Sequence, residues 1–63
     1  MNDLELKAAI KKEIIRNLAL LKFNNDALNI SVIKADIKEA LKWLKIGDSD
    51  KLTESLAALQ KNK

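Results

Sequence analysis

Proline is absent from this chain and glycine occurs once, at Gly47. These two residues are the strongest local punctuators of structure, so a chain without them has few places to turn. Two polar stretches serve instead, Asn24-Asn25-Asp26 and Gly47-Asp48-Ser49-Asp50. They divide the 63 residues into three segments dominated by Leu, Ala, Lys and Glu, all strong helix formers. No repeat or low-complexity run is present. The expected fold is all-α over residues 1–63 as a single domain: a small three-helix bundle, or a helical hairpin plus a third helix. Connections of about six and three residues fold neighbouring helices back on each other.

The first helix is expected over residues 3–23, capped by Asn2 or Asp3, with Asp3 and Glu5 suiting its positive end. At about 100° per residue, Leu4, Ile10, Ile14, Ile15, Leu18 and Leu21 gather in one arc of about 140°. Lys7 and Lys11 fall within that arc and would lay their stems along it. Leu6, Leu20 and Phe23 lie outside it, so the helix is apolar on more than one side. The second helix is expected over residues 30–46. Asn29 is its preferred cap, with Leu28 and Ile33 as the staple around it, and Ser31 competes. Ile30, Ile33, Ile37, Ala40, Leu41 and Leu44 form the clearest helical stripe in the chain. Gly47 suits the left-handed position that ends it. The third helix is expected over residues 49–60, capped by Asp48 or Ser49, with Leu52, Leu56 and Leu59 as a narrow stripe. Lys61-Asn62-Lys63 is expected to fray.

Composition excludes much chemistry. Without Cys or His the chain has no disulfide, no thiolate or imidazole metal site and no Ser-His or Cys-His pair. One glycine does not make a phosphate-binding loop. Asp48 and Asp50 are not followed by the rest of a calcium-loop pattern. A general acid–base carboxylate pair needs a cleft, and a domain this small has little room for one. The expectation is a protein that is not an enzyme and uses no cofactor or metal. The longest apolar run, Leu18-Ala19-Leu20-Leu21, is far too short to span a membrane. With no secretory or lipidation pattern to read, a cytoplasmic location is expected.

Lys34, Lys38, Lys42 and Lys45 form a ladder along one flank of the second helix. Residues 32–47 carry these four lysines against Asp36 and Glu39, a net +2 out of the chain's +3. A basic strip of this kind can follow phosphates or lie on anionic lipid, but no aromatic residue interleaves it for base stacking. It reads first as a solvated face, with nucleic-acid contact as the alternative. A helix-turn-helix around Gly47 fails: Trp43 stands where a small residue is wanted, and Ser49-Asp50-Lys51 would bring an acid into the groove. Ile33-Lys34-Ala35-Asp36-Ile37 resembles the start of the last helix of archaeal histones. Histones place a long helix between two short ones, whereas here the first is long. The resemblance therefore adds only to the nucleic-acid alternative.

Trp43 points about 100° or more away from the main stripe of the second helix, nearly in line with Val32, with Ala35 and Ile46 to one side. Helix one is apolar beyond what one small core needs, and monomers avoid large exposed apolar patches. Leu20, Phe23, Trp43 and Val32 are therefore the expected protein interface, and a two-fold homodimer is the expected assembly. The functional expectation is a small non-enzymatic interaction module, an adaptor or regulator that binds another protein and itself.

Overall fold

The structure, a computed structural model, describes residues 2–63. Three helices follow one another, α1 (Asp3–Phe23), α2 (Ala27–Ile46) and α3 (Ser49–Lys61), and no described residue lies in a strand. Each helix starts on a side chain that satisfies amides with no partner inside the helix. Asn2 Oδ1 accepts from the Glu5 amide at 2.8 Å, and Asp48 Oδ1 accepts from the Asp50 and Lys51 amides at 3.1 and 3.2 Å. α2 begins three residues earlier than expected. Its cap is Asp26, not Asn29 or Ser31, and the Asp26 carboxylate accepts from the Leu28 and Asn29 amides at 3.0 and 3.4 Å. A carboxylate at the positive end of a helix is a strong cap, and Asn24 Oδ1 holds the Asp26 amide in place at 3.0 Å. Leu28 then stands in the first turn, largely exposed, and forms no staple. Gly47 ends α2 with φ 84° and donates its amide to Trp43 O at 2.7 Å.

The turns bring the helices back on one another. Ser49 Oγ donates to Asp3 Oδ1 at 2.7 Å, and Arg16 Nη2 donates to Leu59 O at 2.8 Å. These contacts join the two starts and, further along both helices, the later half of α1 to the end of α3, so α1 and α3 run parallel and α2 runs against both. The bundle measures 35 × 16 × 15 Å.

The core is made by Leu6, Ile10 and Ile14 of α1, Ile33, Ile37 and Ala40 of α2, and Leu52, Leu56 and Leu59 of α3. The stripes of α2 and α3 fall largely where the periodicity predicts, except that Leu41 is half out, at 53% exposure. The buried side of α1 differs from the expected arc. Leu6, expected outside it, is 5% exposed, whereas Leu4, Ile15 and Leu18 of the expected arc are 79%, 69% and 51% exposed. Lys11 is solvated and Lys7 only partly covered. The physical reason is Asn17. It sits on the centre line of the buried side and is fully buried, yet an apolar count scores it as solvent-facing and turns the inferred core away from it.

Asn17 belongs to a polar clasp. Its Nδ2 donates to Glu13 O at 2.7 Å and to Leu59 O at 3.1 Å, and its Oδ1 accepts from Asn62 Nδ2 at 2.8 Å. Asn62 Nδ2 also donates to Asp36 Oδ2 at 2.9 Å. One chain of amides and a carboxylate thus joins the three helices where α3 ends. Asn62 is held there as the C-cap of α3, not frayed. Among the described residues the ion pairs are Glu13–Arg16 at 2.6 Å and Lys51–Glu54 at 3.5 Å. Glu39 and Asp3 accept hydrogen bonds from the Trp43 indole and the Ser49 hydroxyl.

Candidate functional site

The four residues of the expected protein interface do not converge. Leu20 is half-buried and packs on the core of its own chain. Phe23 is exposed in the last turn of α1, with Lys22 Nζ 5.8 Å from its ring centroid. Trp43 lies near the far end of α2. Trp43 is sixteen positions after Ala27, about 24 Å of helix rise, so Phe23 and Trp43 stand at opposite ends of the bundle. Val32, half-exposed, shares the outer side of α2 with Trp43.

Trp43 anchors the better-formed surface. It is half-buried against the core, and its indole Nε1 donates to Glu39 Oε2 at 2.8 Å, one turn earlier on the same helix. Lys42 Nζ lies 4.7 Å from its ring centroid and Lys51 Nζ 5.8 Å, distances at which the ring face attracts a cation. A shallow groove between α2 and α3 runs past this ring, lined by Asp36, Glu39, Lys51, Glu54, Ser55 and Ala58. Its charges are mixed. At about 100° per residue, Leu28, Val32 and Ile46 fall on the same outer side of α2, and all three are exposed. The surface is therefore a Trp with an apolar border and alternating charge beside it.

The lysine ladder is divided by the fold. Lys42 is drawn over the Trp43 ring. Lys34, Lys38 and Lys45 are exposed on the opposite flank of α2. Which neighbours they face follows from the position of α3. This helix packs on the Arg16–Asn17 edge of α1 and on the Asp36–Trp43 edge of α2. The remaining outer side of the α1–α2 pair is uncovered. It carries the three ladder lysines and, from α1, the exposed Lys11 and Lys22 beside Leu4, Ile15 and Leu18. The two α1 lysines were missed by sequence reasoning. A signal was present: Leu4, Ala8, Lys11, Ile15, Leu18 and Lys22 alternate steps of four and three, the spacing of a helix seam.

Neither α1 nor α2, though each is long, has a stretch apolar enough to cross a membrane. No family model matches the chain. No curated protein and no solved structure shows significant similarity to it.

Proposed function

We propose that this chain is a small non-enzymatic helical interaction module, acting in the cytoplasm as an adaptor or regulator that binds another protein and a second copy of itself. The reading rests on Trp43: a half-buried indole beside a groove, bordered by exposed Val32 and Ile46. Trp is enriched among residues that dominate binding energy. The mixed charges of Asp36, Glu39, Lys51 and Glu54 suit pairing with an identical surface, because opposite charges can meet across a two-fold axis. The lysine side of α1 and α2 does not suit it, because there like charges would face each other. The self-association partner of this chain is therefore assigned to the α2–α3 side. Phe23 and Leu20, expected beside Trp43, have no part in that surface.

Sedimentation equilibrium from low micromolar to millimolar concentration tests the reading. The mass should rise from the 7.1 kDa monomer towards twice that value. A Val32→Ser/Ile46→Ser variant should stay monomeric with an unchanged melting temperature, because both side chains are exposed in the free chain. A constant monomer mass for the wild type removes the self-association half of the proposal. The nucleic-acid alternative predicts duplex DNA binding with a steep salt slope, abolished by Lys34→Gln/Lys38→Gln.

A further inference from the structure

We infer that the outer side of the α1–α2 pair is a docking surface for an anionic phospholipid bilayer. Nothing in this inference depends on the Trp43 surface, which lies on a different side of the bundle. Four large apolar side chains are exposed on the docking side: Leu4, Ile15 and Leu18 from α1 and Leu41 from α2. Five lysines stand among them: Lys11, Lys22, Lys34, Lys38 and Lys45. On a wheel of about 100° per residue, the α1 members occupy an arc of about 60° and so do the α2 members. Both arcs are turned about 110° from the buried side of their helix, in the direction away from α3.

Carboxylates are missing from this side, and all nine in the sequence have another place. Asp3, Glu13, Asp36 and Glu39 bond to Ser49, Arg16, Asn62 and Trp43. Asp26 caps α2 in the turn, Asp48 caps α3, and Asp50 and Glu54 lie on α3. Glu5 bonds to Asn2 and lies about 110° round α1 from the centre of this arc. None of the five lysines is within salt-bridge distance of an acid among the described residues. A chain of net charge +3 thus holds five unpaired positive charges on one side.

That charge calls for a polyanion, and the apolar side chains decide which. A nucleic acid gains nothing from exposed Leu and Ile between its phosphate contacts, and no aromatic residue stands among these lysines for base stacking: Trp43 lies on another side of the bundle, and Phe23 borders only Lys22 at the end of α1. A second copy would set lysine against lysine. An anionic bilayer uses both features. Lysines reach the headgroups, each worth about a fivefold gain in partitioning, while Leu and Ile enter the headgroup–acyl boundary. Two antiparallel helices on one side of a 35 Å bundle make a flat contact that lies in the interface without spanning it.

The full chain is mixed with vesicles of phosphatidylcholine and phosphatidylserine, with pure phosphatidylcholine vesicles, and with duplex DNA at the same ionic strength. Co-sedimentation should occur with the phosphatidylserine vesicles only and fall as salt is added. Lys34→Gln/Lys38→Gln and Ile15→Ser/Leu18→Ser should each lower partitioning by about tenfold or more, with melting curves unchanged. The emission of Trp43 should not shift on binding. In a Trp43→Phe background with its helical spectrum checked, a tryptophan placed by Leu18→Trp should shift to the blue. Equal binding to both vesicle types overturns the inference. So does tighter binding to DNA than to vesicles, a blue shift of Trp43 itself, or no effect of Ile15→Ser/Leu18→Ser.

Discussion

Asn62, in the C-cap of α3, donates its side-chain amide to the Oδ1 of buried Asn17 in α1 at 2.8 Å, and the same nitrogen reaches Asp36 of α2 at 2.9 Å. The last carbonyls of a helix lack partners within it. Here Leu59 O takes hydrogen bonds from Arg16 Nη2 and Asn17 Nδ2, so the end of α3 is satisfied by α1. Buried polar groups of this kind are costly when left unpaired. The clasp therefore ties the alignment of α1 and α3 to the presence of one residue near the chain's end.

Asn17→Ala removes two donated hydrogen bonds, leaves Asp36 as the one side-chain acceptor of the Asn62 amide and opens a void. We expect a loss of about 3 kcal/mol, read as a fall of roughly 15 °C in melting temperature for a domain of this size. Asn17→Leu, which refills the space while Arg16 keeps Leu59 O, should fall less than Asn17→Ala. Asn62→Ala, at a half-buried position, should cost about 1 kcal/mol. Thermal melts followed by circular dichroism compare the three directly.

The rotation of α1 gives a sharper test, because the two isoleucines involved were both expected inside. Ile10 is fully buried, whereas Ile15 is 69% exposed. Ile10→Ser should cost roughly 4 kcal/mol and leave the chain largely unfolded. Ile15→Ser should change stability by no more than about 0.5 kcal/mol. Equal losses at the two positions would restore the arc read from periodicity.

The start of α2 separates two caps. Asp26→Ala should destabilise by about 1 kcal/mol, because two amides lose their acceptor. Asn29→Ala, inside the first turn, should be nearly neutral. Amide hydrogen exchange at Leu28 and Asn29 should accelerate in the first variant and stay unchanged in the second.

Helix number, order and two of the three stripes were legible in the sequence because they depend on local facts. The two polar breaks end and start helices whatever surrounds them, and Ile33, Ile37, Leu52, Leu56 and Leu59 recur at the helical period on narrow stripes. The left-handed Gly47 belongs with these, since only a residue without Cβ takes φ 84° freely.

Other features were decided between helices. α1 has apolar residues around most of its circumference, so its own pattern does not choose a buried side. The choice came from what α3 offers in return, a Leu59 carbonyl and an Asn62 amide that make the burial of Asn17 favourable. Once α1 had turned towards them, Leu4, Ile15 and Leu18 were left outside, next to lysines of α2 that are distant in sequence. The amino-acid sequence by itself determined which stretches are helical and how much apolar surface they carry, because both follow from residues within a few turns of each other. Only the tertiary structure decided which of that surface remains uncovered, because a buried hydrogen bond between α1 and α3 outweighs the difference between one leucine side of a helix and another.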